Sequence, residues 1–342
     1  MAAGAKFPPT ICDRASLRVA VVGTGAVGLR AARQLHESDE VTDVRIVSRQ
    51  RERAEWVAGE LGDGASAAGW PSVASDVDVV VLALAEEAHA EMARVAVADG
   101  AHVVSTAGSI DAVDGIIGLD TRASSQQRSA VAGAAMSPGL SCLLATHGAR
   151  GVEVVEEIHV AKTGTGGPLC ARATHAFLRG FAATWRDGRW QSELAGTGRE
   201  LMWFPEPIGG VDCYASASAE PSLLTAAFPM VRRVTARLAA TRRDKATTWL
   251  PMLRPPHAEG LIGGLRIEVR GFNDGQAVTN IVGAVDRPAI IAGTLAAVAA
   301  LAAGRGELKH GAGGLASLSR APGDLLAELA ARGVKIAHFV GG

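Results

Sequence analysis

The sequence predicts an α/β fold. A parallel sheet with helices on both faces comes first, an α+β unit is inserted after it, and C-terminal elements return to the first sheet. Three observations lead there. Apolar runs alternate with helical segments over the first 150 residues, the pattern of consecutive βαβ units. One such run, Leu17 to Val22, leads straight into Gly23-Thr24-Gly25-Ala26-Val27-Gly28 and then into helix-forming residues as far as Leu35. Beyond residue 151 alternating strands take over, with a hairpin signal at Asn273-Asp274-Gly275.

The glycine turn is informative because a strand precedes it and a helix follows it. Gly23 permits the tight strand-to-helix turn, Gly25 leaves room for a pyrophosphate, and Gly28 lets the helix pack closely on the strand. The open N–H groups of that helix then face the phosphates. Gly23, Thr24, Gly25, Ala26, Val27 and Gly28 are therefore expected to hold a dinucleotide in a Rossmann domain. Val44 to Val47 should be the second strand. An acidic residue near its end would bind the ribose 2′-hydroxyl of NAD, but the chain reads Ser48-Arg49-Gln50-Arg51 there. Ser48 can donate to a 2′-phosphate and Arg49 or Arg51 can pair with its charge, which favours NADP(H) over NAD(H).

Asp76 to Ala83 and Ala101 to Thr106 read as strands buried on both faces, separated by a helix over Glu86 to Ala98. A polar helix over Thr121 to Ser129 and a short strand over Ala130 to Ala135 follow. Ligands of such sheets lie at the carboxyl ends of the strands. Ala83-Leu84-Ala85, Ser105 to Gly108 (Ser105, Thr106 and Ala107 among them) and Met136 to Gly139, with Pro138 and Gly139 opening the next helix, should accordingly face the cofactor. The alternative for that helix is an ordinary capped start with Ser137 as its N-cap. Ser105 and Thr106 have a local alternative, satisfying nearby backbone groups.

The expected division is a tail over 1–16, a nucleotide domain over 17–150, a substrate domain over 151–286, and a C-terminal return over 287–342. The insert should begin with a strand over Val152 to Ala161, a glycine-rich loop from Lys162 to Pro168, and a helix over Ala171 to Phe181. Leu265 to Val269 and Ala277 to Val285 form the hairpin. The apolar run Ala289 to Ala303 has 15 residues, short of the roughly 20 that cross a bilayer, so it reads as a buried helix. A helix over Asp324 to Ala331 and a strand over Val334 to Phe339 close the chain.

A formal net charge of −1, without a long basic run, argues against a nucleic-acid partner. Cys12, Cys142, Cys170 and Cys213 are widely spaced and form no C-x-x-C pair. They suit reduced thiols in the cytoplasm, with no metal site. A small-molecule substrate, a homodimer and no membrane are expected. Hydride transfer needs no metal, only orientation and, for a ketone, a proton donor. Lys162, His175, Tyr214, Asp212 and His257 are the acid/base candidates of the insert. Lys162 stands first, because the glycine loop after it permits close approach of a ligand. His159 reads as structural, Arg199 as a carboxylate binder, and Cys142 as a buried thiol beside the cofactor.

The block Ala135-Met136-Ser137-Pro138-Gly139-Leu140-Ser141-Cys142-Leu143-Leu144-Ala145 resembles the strand, Pro-Gly-Leu-Ser and helix pattern of the saccharopine dehydrogenase-like family, with Cys142 where that family usually has Asn. Trp185 to Trp190, Phe204 to Gly209 and Leu325 to Lys335 are similar to further segments of the same family. The resemblance implies an NADP(H)-dependent reductase or dehydrogenase acting at a C–N or C=O centre. Two alternatives stand beside it. A sugar-type dehydrogenase would carry Glu-Lys-Pro after the fifth strand, where this chain has Val104-Ser105-Thr106-Ala107-Gly108. A non-enzymatic sensor would bind NADP(H) without turnover.

Overall fold

A computed structural model describes residues 16–69, 76–247, 249–250 and 256–339. The expected N-terminal tail, apart from Ser16, lies outside these residues, as does Cys12. In chain order the first unit contains β1 (Leu17–Val22), α1 (Ala26–His36), β2 (Val41–Ser48), α2 (Arg51–Leu61), β3 (Ala65–Gly69), β4 (Val79–Leu82), α3 (His89–Ala98), β5 (His102–Ser105), α4 (Ile110–Ile117), α5 (Asp120–Ser125) and β6 (Ser129–Val131). All its strands run parallel. Their order, β6-β5-β4-β1-β2-β3, is that of a doubly wound nucleotide fold. The valines of β1 and β4 are wholly buried, as strands covered on both faces must be.

The second unit follows α6 (Leu140–Gly148). It comprises β7 (Val154–Thr163), α7 (Pro168–Ala176), β8 (Phe181–Arg186), β9 (Arg189–Leu194), β10 (Glu200–Phe204), β11 (Gly209–Ala215), α8 (Glu220–Ala227), β12 (Arg233–Ala239), α9 (Arg242–Ala246), β13 (Gly263–Asn273) and β14 (Gln276–Asp286). The chain ends with α10 (Pro288–Gly304), β15 (Gly311–Gly313), α11 (Leu315–Leu318), α12 (Pro322–Ala331) and β16 (Ile336–Phe339). The second sheet is mixed, in the order β10-β11-β12-β7-β13-β14-β16, with the β8–β9 hairpin attached to β12. Asp274 and Gly275 both adopt positive φ (49° and 74°), so the β13–β14 hairpin turns as Asn-Asp-Gly suggested.

Several boundaries differ from expectation, each for a local reason. Pro168 opens α7 three residues early because a missing N–H costs nothing in a first turn, and Phe181 already belongs to β8. Helix α4, which the periodicity did not suggest, is capped by Ser109, whose hydroxyl accepts the Ala112 N–H at 3.4 Å. Helix α5 ends at Ser125, and Ser129 belongs to β6. The closing strand does not return to the nucleotide sheet. β16 pairs antiparallel with β14, Ile281 opposite Phe339 and Ala284 opposite Ile336. The return is made by α10, which packs on α1, β4 and β5, and by β15, which extends the first sheet beyond β6.

Helix α10 is buried along nearly its whole length. Its alanines let neighbours come close: a Cβ added at Gly293 would lie 2.7 Å from the carbonyl oxygen of Val27 on α1. Helix α6 lies between the two units and touches β13, β14 and α12, so one apolar core spans both sheets. Arg305 reinforces the join with ion pairs to Glu40 (2.7 Å) and Glu328 (3.0 Å). Among the described residues no helix is long and apolar enough to cross a membrane, and no His/Cys/Asp/Glu group could hold a metal ion.

Candidate active site

The glycine turn is tight on two sides and open on the third. A Cβ added at Gly23 (φ 119°) would sit 2.1 Å from the carbonyl oxygen of Ala83, and one at Gly28 would sit 2.0 Å from that of Gly23. At Gly25 it would meet nothing within 4 Å. Gly25 is also the N-cap of α1, with no side chain capping it and no acidic residue in the first turn. The free N–H groups and positive dipole end therefore face open space, a cradle that fits a pyrophosphate.

From this turn a cavity of about 560 Å³ runs between the two units, within the usual range for small-ligand sites. Gly25, Ala26, Val27 and Gly28 form one end, and Leu84, Ala85 and Thr106 supply the strand-end wall. Lys162 closes it from the second unit. It lies at the inner end of β7, opposite Leu238 of β12 and Leu265 of β13, and is 8% exposed. Its ammonium has no hydrogen-bond or ion-pair partner among the described residues. Met136 and Ser137, from the strand-end segment expected to face the cofactor, complete the lining together with Phe177 and the first turns of α7, which the sequence had not singled out as cofactor or substrate contacts. Glu86 is another addition. Its carboxylate accepts the backbone N–H groups of Gly108 (3.0 Å) and Ser109 (3.0 Å), fixing the loop after β5.

Other expected contacts point elsewhere. Gly23 and Thr24 shape the turn without lining the cavity. Ser105 is fully buried, bonded to Nδ1 of His89 (2.8 Å) and accepting the Ala107 N–H (3.2 Å), so it ties the strand ends together from behind. Burial lowers the pKa of that His89. Ala107 is buried beside it, and Thr106 donates its hydroxyl to the Leu82 carbonyl at 3.0 Å. Pro138 and Gly139 pack behind Ser137. Gly139 (φ 128°) is the N-cap of α6, so Ser137 is not the cap, and its hydroxyl donates to Glu220 instead. At the second strand Ser48 accepts the Gln50 N–H (3.2 Å), Arg51 pairs with Glu55 (2.8 Å), and Arg49 is exposed. Arg53, which the sequence reading passed over, reaches the Thr24 carbonyl at 3.5 Å.

Of the acid/base candidates only Lys162 lines the cavity. His175 lies on α7 but outside the lining. Tyr214 is buried in a cluster with Phe177 and Leu238, its ring under the Lys245 ammonium at 4.0 Å. Asp212 pairs with Arg199 at 2.8 Å, which occupies both. His257 accepts the Glu259 N–H at 3.2 Å. His159 bonds Thr235 (2.8 Å) and Glu157 (3.0 Å), and burial lowers its pKa. The Cys142 thiol is fully buried and pushed up to about 12 by that burial and by the nearby Glu220 charge, so it stays an unreactive thiol.

A family model described as semialdehyde dehydrogenase, NAD binding domain, matches residues 18–138. Among solved structures, saccharopine dehydrogenase (L-Glu forming) from Saccharomyces cerevisiae aligns with a TM-score of 0.68 at 14% identity, covering 95% of this chain and 100% of that one. An oxidoreductase domain protein from Kribbella flavida gives 0.49 at 14% identity, with coverage of 96% and 100%. The DAP dehydrogenase of C. glutamicum gives 0.49 at 15%, with coverage of 93% and 99%. No curated protein matches the sequence. Residues 18–138 thus form a nicotinamide-dinucleotide-binding domain, and the chain has a saccharopine dehydrogenase-like fold.

Proposed function

We propose that this protein is an NADP(H)-dependent oxidoreductase that reduces a small imine or ketone, or runs the reverse reaction, in the cytoplasm. The observation that carries the reading is Lys162, a largely buried side chain whose ammonium faces the cavity that begins at the pyrophosphate cradle and has no partner among the described residues. A charge so placed needs an anionic or strongly polar occupant, because burial of an unpaired cation is costly.

The dinucleotide, when bound, supplies or accepts the hydride. The chain's part is to bind, orient and exclude water. Gly25 and the first turn of α1 hold the phosphates. Arg49 just after β2 supports the NADP(H) preference, because it is exposed and the segment Ser48-Arg49-Gln50-Arg51 holds no carboxylate where NAD-binding chains carry one. Met136 and Phe177 give the inner cavity apolar walls. Lys162 polarises the acceptor oxygen or nitrogen, or holds a carboxylate beside it. Electrostatic help of this kind is strongest where water is excluded. The free thiols Cys142, Cys170 and Cys213 accord with a reducing compartment.

Fluorescence titration with NADPH and NADH, followed by NADPH oxidation against keto acids (with and without amines), cyclic imines and ketones, tests the reading. Turnover that falls on Lys162→Met with unchanged NADPH affinity is the expected result. Tight NADPH binding with no turnover across the panel would favour the sensor instead.

A further inference from the structure

Behind the inner wall of the cavity lies a carboxyl group that none of the roles above uses. Glu220 is the first residue of α8 and is 1% exposed. One of its oxygens, Oε1, accepts the hydroxyl of Ser137, itself a lining residue. The other, Oε2, is buried without a partner among the described residues, and so is the hydroxyl of Ser141 in the first turn of α6. None of the ion pairs among the described residues includes Glu220.

A purely structural role accounts poorly for this arrangement. A carboxylate in the first turn of a helix does offset the dipole. Such a group ordinarily lies in solvent or accepts open N–H groups, however, and Glu220 does neither. Buried polar atoms are almost always satisfied, and orphaned ones concentrate where a group must change its bonding or protonation. The segment before α8 is also anchored at this corner. The Ala219 N–H donates to the Gly108 carbonyl (3.0 Å) and the Ala217 N–H to that of Phe177 (2.9 Å). The second unit thus delivers a carboxyl group to the back of a serine that opens on the cavity.

Resting on the oxidoreductase reading, we propose that Ser137 and Glu220 form a proton relay, with Ser137 exchanging a proton with the reacting heteroatom and Glu220 holding it. In the oxidation direction the O–H or N–H proton of the substrate passes to Ser137 Oγ as Ser137 passes its own to Glu220 Oε1. The C–H electron pair leaves as hydride to the nicotinamide dinucleotide. The products are the carbonyl or imine, the reduced dinucleotide, an intact serine hydroxyl and a neutral Glu220. Reduction reverses each transfer. Glu220 acts through Ser137 and is a positioning and proton-holding residue. A titratable neighbour on the packed α6 is Cys142, which stays neutral because burial and the Glu220 charge push its thiol up to about 12.

The test uses the full chain with NADPH as the probe. Infrared difference spectra of wild type against Glu220→Gln assign the Glu220 carboxyl band, and its response to transfer into D₂O is timed with and without Ser137→Ala. Rapid exchange in wild type, slowed at least tenfold by Ser137→Ala, is expected, with NADPH affinity within twofold throughout. With whichever panel compound turns over, Glu220→Gln should lower kcat by roughly 10²–10⁴-fold and remove one limb of its pH profile. Should Glu220→Gln fail to fold, Glu220→Asp assigns the band. Exchange unaffected by Ser137→Ala, or an unchanged pH profile in the Glu220 variant, overturns the relay. Absence of turnover in wild type would defeat the oxidoreductase reading, while the exchange measurement would still decide whether Ser137 is the proton route.

Discussion

Replacing Gly28 by alanine and Gly25 by valine should separate the folding role of the glycine turn from its binding role. A Cβ at position 28 would stand 2.0 Å from the Gly23 carbonyl oxygen and 2.9 Å from its carbon, and both are backbone atoms. The strand-to-helix turn would have to open by about an ångström, and overpacking of this kind costs about 1–3 kcal/mol. For a chain of this length that lowers Tm by roughly 1–4 °C. Position 25 is the opposite case: its φ of −80° suits any residue, and nothing lies within 4 Å of a Cβ there. Valine should leave Tm near that of wild type but fill the cradle. Losing about two charge-assisted hydrogen bonds, at roughly 1.5–3 kcal/mol each, would weaken NADPH binding by about 10²–10⁴-fold. Thermal denaturation and NADPH fluorescence titration on both variants provide the measurements. Near-native affinity in Gly25→Val, or a native Tm in Gly28→Ala, would refute the geometry.

Four further outcomes are expected. Arg49→Ala should weaken NADPH binding by about 1.5–3 kcal/mol, the scale of a charge-assisted bond, and hardly affect NADH; equal losses in isothermal titration would contradict the placement of the 2′-phosphate. Lys162→Met should lower kcat/KM by about 10²-fold, and a change confined to NADPH affinity would put Lys162 on the cofactor rather than the substrate. In a Cys12→Ser background at pH 8, Cys170 should react with a thiol reagent and be protected by NADPH. Cys142 and Cys213, both pushed up to about 12, should react only on unfolding, and mass mapping distinguishes the sites. Burial, with the Arg128 charge next, lowers the pKa of His102 to about 4 from its ordinary 6.5. The unfolded chain therefore binds the extra proton first, so this contribution is intact above pH 6.5 and is lost as pH falls towards 4. Denaturant titrations should show a loss of about 1–3 kcal/mol over that interval, reduced in His102→Gln.

Legibility differed along the chain for reasons that individual residues make plain. Gly23, Gly25 and Gly28 could be read because their requirement is local, a matter of φ and of atoms within one βαβ unit. The β13–β14 hairpin could be read for the same reason, from Asn273-Asp274-Gly275. Lys162 was suggested by its place before a glycine loop, although only the three-dimensional arrangement, with β7 held between β12 and β13, shows its side chain lining the cavity. Ser105 and Thr106 came to the right strand end, but which way each hydroxyl turned depended on His89 and on the Leu82 carbonyl. Tyr214 and His175 had suitable chemistry, and packing turned both away from the cavity.

What the sequence determined by itself was the kind of cofactor, a nicotinamide dinucleotide, and the fold class. Those follow from backbone conformation and from hydrophobic periodicity, which act over a few residues. Only the tertiary structure decided that β16 joins the second sheet, that Lys162 lines the cavity with no partner among the described residues, and that Glu220 sits behind Ser137. The last two residues are 83 positions apart. No local preference encodes such a meeting, because it arises from where two separately formed units bury their shared core.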